Sequence, residues 1–136
     1  MDSGLHCDGG ELTLTLGETV SGKWHPLEAS TEPMLVHGPQ GGHHLALAVQ
    51  LEGLGELPSE VLFDIEALDV HGQSLGGFVR ILPDPRLDDE PTAIWLDVWL
   101  VVHRWPVAES RSISVMVEEL TPCARTATWD LTLQPS

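Results

Sequence analysis

Apolar residues recur at every second position along most of the chain, and no segment keeps a helical period over several turns. Glu11 to Leu16 is the plainest case. Leu12, Leu14 and Leu16 fall on one face and Thr13 and Thr15 on the other, as a half-buried strand requires. Met34 to His37 predicts a short strand, and His43 to Glu52 a long one with Leu45, Leu47, Val49 and Leu51 facing one way. In Val61 to Asp69 the inward set is Val61, Phe63, Ile65 and Ala67, with Asp64 and Glu66 turned to water. Leu75 to Leu82 returns after a two-residue turn at His71-Gly72. Thr92 to His103 is apolar on both faces, with Trp95 and Trp99 on one and Ile94, Leu96, Val98 and Leu100 on the other. Such a run predicts a strand buried on both sides. Ile113 to Glu119 and Ala127 to Gln134 make a final pair.

Turn residues punctuate these runs, most visibly Gly38-Pro39-Gln40-Gly41-Gly42 and the acidic, proline-rich loop from Pro83 to Pro91. Short strands at this spacing predict an all-β fold, an immunoglobulin-like antiparallel β-sandwich of about seven or eight strands. A small closed barrel is the alternative. The chain has 136 residues, enough for one domain. Residues 1–10 are expected to form a flexible segment, and residues 11–136 a single β-sandwich domain.

Charge narrows the partners. There are 21 acidic residues against 6 basic ones, a formal charge of −15, and Lys23 is the only lysine. That field repels phosphate backbones and anionic headgroups, so nucleic acid is not an expected partner. A protein or cell-surface partner, a basic protein or a metal cation fits it better. No run of 18 apolar residues occurs, so no transmembrane segment is expected. Met1 to Gly10 has neither the basic nor the apolar stretch of a signal peptide.

Cys7 and Cys123 lie near opposite ends of the sequence. In an oxidising compartment they are expected to pair, closing a loop that stabilises the fold by roughly 4–5 kcal/mol on the chain-entropy account. The alternatives are two unpaired thiols, or a lipid anchor at Cys7. For the anchor, Gly4-Leu5-His6-Cys7 departs from the usual lipobox, because His6 stands where a small residue belongs.

Several residue groups invite a chemical reading. Gly72-Gln73-Ser74-Leu75-Gly76 matches the nucleophile elbow of α/β-hydrolases, and Asp97 and His103 follow in the order of a triad. The elbow needs a helix after its serine, whereas Phe78-Val79-Arg80-Ile81-Leu82 continues as a strand, so the match is read as coincidental. His37, His43 and His44 bracket the glycine-rich turn. Neutral imidazoles there could hold copper or zinc, or else fix the turn by hydrogen bonds. His43 and His44 point to opposite faces of one strand, so both cannot join one simple site. Asp84, Asp88, Asp89 and Glu90 crowd one loop with oxygen ligands suited to calcium, but without the spacing of an EF-hand. A charge run of this kind is expected to be solvated. Trp95 and Trp99 are expected to anchor the core; if exposed, they would form a platform for sugar rings or a protein.

Trp24-His25-Pro26-Leu27 followed by Leu35-Val36-His37-Gly38-Pro39-Gln40-Gly41-Gly42-His43-His44 and a long alternating strand is similar to a group of secreted or lipid-anchored proteins of predatory and soil δ-proteobacteria. That group shares a P-L … G-P-Q-G-G-x-H segment ahead of an immunoglobulin-like sandwich. The match covers roughly residues 24–52 and places the shared histidine at His44. The resemblance implies an extracytoplasmic β-sandwich and carries no activity with it. The functional expectation is therefore a non-enzymatic extracytoplasmic binding or structural module with no cofactor. The alternative is a periplasmic or extracellular copper- or zinc-binding protein using His37, His43 and His44.

Overall fold

The computed structural model describes residues 12–37, 43–54, 60–86, 90–120 and 125–135. The strands in chain order are β1 (Thr13–Val20), β2 (Lys23–Pro26), β3 (Leu35–His37), β4 (His43–Glu52), β5 (Glu60–Leu68), β6 (Ser74–Pro83), β7 (Thr92–Val102), β8 (Arg111–Glu119) and β9 (Thr126–Leu133). Among the described residues there is no helix, and so none long and apolar enough to cross a membrane. Cys7, Cys123, the Gly38–Gly42 turn and the N-terminal segment 1–10 lie outside the described residues.

The strands are antiparallel neighbours in one curled sheet, in the order β2-β1-β4-β7-β6-β5-β8-β9. β3 takes the stretch of the β4 edge from His43 to Leu45 that β1 leaves free. The curl gives the sheet an inner face. Alternate positions of β1, β4, β5, β7 and β8 fill it with Leu14, Leu16, Leu45, Leu47, Val61, Phe63, Ile65, Leu100, Ile113, Val115 and Val117. These are the residues that alternation places on the buried face. The two ends of the strand order also meet: the Gln134 amide donates to the Ala29 carbonyl at 2.9 Å, joining the end of β9 to the segment after β2.

At the middle of the order the sheet is barely continuous. β6 is in register with β7 only through Gly76↔Val102 and Gly77↔Val101, with the His103 amide bonded to the Leu75 carbonyl beside them. The approach is so close that a Cβ on Gly76 would run into the Val101 carbonyl. Beyond Gly77 the two strands part.

Three local features differ from the reading of the sequence. β1 continues to Val20 and reverses through Ser21-Gly22, both at positive φ (52° and 76°), the geometry of a tight two-residue hairpin. That hairpin adds β2, which has no apolar alternation to announce it. The β5–β6 connection is wider than a two-residue turn at His71-Gly72, and Asp69 organises it. The Asp69 carboxylate accepts from the amides of His71 (2.8 Å) and Gln73 (2.9 Å) and from Arg104 Nη2 (2.7 Å). The Gln73 amide lowers its pKa, burial pushes it up, and the His71 amide and Arg104 lower it again; the result is a shift below the ordinary value.

The third feature is a bulge. Register between β4 and β7 slips between Leu47 and Val49, and Asp97 sits in the left-handed region at φ 57°. The extra residue is held by one hydroxyl. The Asp97 amide donates to Thr19 Oγ1 at 2.8 Å, and that hydroxyl donates to the Leu47 carbonyl at 3.3 Å. A bulge inverts the facing of everything after it. Trp95 is therefore 6% exposed and Trp99 52% exposed, on opposite faces rather than on one. Nor is β7 buried on both sides. Ala93, Trp95, Val98, Leu100 and Val102 face the core, while Ile94, Leu96, Trp99 and Val101 face out.

Candidate functional site

The parting of β6 from β7 produces a cleft of about 750 Å³. β6 stays paired with β5 as far as Pro83, and β7 stays paired with β4 as far as Thr92, so each lip is a firmly held strand. Val79 on one lip and Ile94, Leu96, Trp99 and Val101 on the other line it, all of them exposed. Ile81 extends the apolar strip along β6. Trp95 forms part of the wall from below. Its ring meets Phe63 edge to face at 5.0 Å, and its Nε1 donates to the Pro83 carbonyl at 2.9 Å, tying the lips together near the wide end.

Charge around the cleft is mostly negative. Asp97 lines it. Asp64 and Glu66, both exposed, stand on β5 opposite Val79 and Gly77. Among the described residues the cation in the wall is Arg80, whose guanidinium lies 5.8 Å from the Phe78 ring centroid. Elsewhere Arg86, Arg104, Arg111 and Arg125, four of the 6 basic residues, are held in ion pairs with Asp84, Asp69, Glu32 and Glu119. Their charges are neutralised locally, and the surplus of carboxylates is left to the surface.

The histidines divide as strand geometry requires. His37 and His43 face each other across β3 and β4, with ring centroids 4.5 Å apart at 71°. His44 points to the other side and stacks on Trp99, centroids 4.3 Å apart at 19°. The three are thus not brought to one point. Among the described residues no group of three or more His, Cys, Asp and Glu side chains gathers as a metal site would. In the acidic loop, Asp84 is occupied by Arg86, which meets both carboxylate oxygens and also bonds the Glu90 carbonyl. Asp88 and Asp89 lie outside the described residues. Ser74 opens β6 and is followed by strand, so the Gly-x-Ser-x-Gly stretch lacks the helix of an elbow.

Trp99 meets the condition of exposure for a platform, and Val79, Ile81, Ile94, Leu96 and Val101 are exposed as well, although alternation does not mark them as site residues. Their signal was present, since β7 is apolar at nearly every position. Periodicity shows that both faces are apolar, not that both are covered. Compared with protein-family models and with curated proteins, the sequence finds no match.

Proposed function

We propose that the chain is a non-enzymatic extracytoplasmic binding module of the immunoglobulin-like sandwich kind, and that it takes its ligand in the β6–β7 cleft. One observation carries the reading. Val79, Ile94, Leu96, Trp99 and Val101 are exposed together on the two lips of one opening, and contiguous apolar surface of this kind marks interaction sites. The sandwich assignment draws support from the narrow β6–β7 junction, which divides the strand order into β2-β1-β4-β7 and β6-β5-β8-β9 around one core. Among the described residues the ionisable side chains of the cleft wall are Arg80 and Asp97, which fits a non-enzymatic module. The extracytoplasmic assignment rests on the well-separated cysteine pair and on the resemblance of residues 24–52 to secreted and lipid-anchored sandwiches.

The test is a titration with the uncharged, polarity-sensitive dye Nile red. Wild type is expected to brighten it, and the double variant Trp99→Ala, Val101→Ser to bind it roughly tenfold more weakly, a loss of about 1.4 kcal/mol. A wild type that leaves the dye dark, or a double variant that binds it equally well, overturns the cleft assignment.

A copper- or zinc-binding role is the second reading, favoured by the facing rings of His37 and His43. Two imidazoles supply half of a tetrahedral zinc shell. Calorimetric titration with zinc or copper is expected to show uptake by wild type and none by His37→Ala, His43→Ala, with His44→Ala binding like wild type. Equal uptake by the double variant, or none by wild type, removes this reading.

A further inference from the structure

Building on the assignment of the cleft as the ligand site, we infer that its occupant is an extended segment of a basic polypeptide, added as a strand along the free edge of β6. From Phe78 to Leu82, β6 is paired with β5 on one side and with no strand of the described residues on the other. An open edge offers a row of backbone donors and acceptors that another strand can satisfy. Natural edges are usually blunted by charge or proline. Here the stretch carries one charged residue, Arg80, and proline arrives only at Pro83, whose carbonyl is already taken by Trp95. The ladder an incoming segment can build therefore runs over five residues, Phe78 to Leu82.

The side chains flanking that edge suit a strand as well. Val79 and Ile81 are two residues apart on one lip, and Ile94 and Leu96 two apart on the other. A strand lying between them presents its own alternate side chains at the same period. β6 and β7 are antiparallel, so a segment running antiparallel to β6, the more stable pairing, lies parallel to β7.

Charge selects the sequence of the occupant. Asp97 lines the cleft with Arg80, Asp64 and Glu66 stand one strand away on β5, and the whole chain carries −15. A second copy would bring the same charge to the edge and be repelled. A segment with lysine or arginine between its apolar residues would be drawn in.

The experiment uses a capped seven-residue peptide of alternating lysine and valine, the same peptide N-methylated at every amide, and one of alternating glutamate and valine. Amide hydrogen exchange is followed at Phe78 to Leu82. The lysine–valine peptide is expected to slow exchange there by about tenfold or more as the edge becomes paired. The N-methylated peptide is expected to leave those amides unchanged, and the glutamate peptide to bind at least about tenfold more weakly at low salt. Val79→Lys, Ile81→Lys is expected to abolish the protection without loss of the folded state, since both side chains face water. No slowing with the lysine–valine peptide overturns strand addition, as does equal binding of its N-methylated form. Equal binding of the glutamate peptide overturns the basic partner. Slowing that grows with protein concentration in the absence of peptide, together with dimers in sedimentation, overturns it in favour of a second copy. If Nile red binds in the cleft and the peptides do not, strand addition fails while the ligand site stands; if neither binds, both fail.

Discussion

Trp95→Ala is expected to lower the free energy of unfolding by about 3–5 kcal/mol, and Trp99→Ala to leave it within about 0.5 kcal/mol of wild type. Two residues of one type, four positions apart on one strand, should thus differ by a large share of the stability of a small domain. The reason is the inversion of facing at Asp97. Before it, Trp95 is packed edge to face on Phe63 and bonded through Nε1 to the Pro83 carbonyl. Truncation there removes a large buried surface, leaves a cavity in the core and strips Pro83 of its donor. After it, Trp99 lies half in water with one face against His44, and its loss exposes little that was covered. Urea unfolding of the two variants reads the difference directly. Equal losses would mean that both indoles are buried and that β7 runs without a bulge, in which case the cleft would lose its largest side chain.

That contrast also shows where the sequence is legible. The alternation of β4 marks His43 to Glu52, the bounds the strand has. β5, β6, β8 and β9 lie within about two residues of their apolar runs, because each contributes one face to a single core and that demand is written at every second position. The bulge is not written this way. Asp97 takes a left-handed conformation because its amide meets Thr19 Oγ1, a partner 78 positions away, and no local pattern encodes such a contact. β2 escapes notice for a related reason: Lys23 to Pro26 is a strand because a tight hairpin lays it against β1. Of the candidate site residues, the divergence of His44 from His43 follows from strand parity alone, whereas the meeting of His37 with His43 is set by the β3–β4 register. The cleft follows from neither, because it depends on where two distant strands cease to touch.

The charged groups inside the domain are the least legible feature of all, and the one with the other large expected effect. Arg111→Ala is expected to cost about 3–5 kcal/mol of stability, the range for removing one member of a buried ion pair. Nothing in Ser110-Arg111-Ser112 separates this arginine from a surface residue, yet it is 1% exposed at the head of β8. Its guanidinium spends each arm on a different segment. Nη1 meets Glu32 at 2.8 Å, Nη2 the Gln134 carbonyl at 2.8 Å, and Nε the Glu109 carbonyl at 3.0 Å, with the Trp105 ring stacked 4.8 Å away. Glu32 follows β2 and Gln134 follows β9, so one side chain clamps the two ends of the strand order. The partners are unequal. The Glu32 side chain is 33% exposed and also accepts from Trp105 Nε1, so it can be hydrated when Arg111 is removed, whereas Glu32→Ala leaves the buried guanidinium uncompensated and is expected to cost about 3 kcal/mol. Arg111→Met, which keeps most of the volume and leaves no buried charge, should cost less than either. Denaturant melts of the three variants order these effects. An Arg111→Ala loss below about 1 kcal/mol would show that the clamp holds nothing and that the ends of the sheet are joined by the Gln134–Ala29 bond and apolar packing alone.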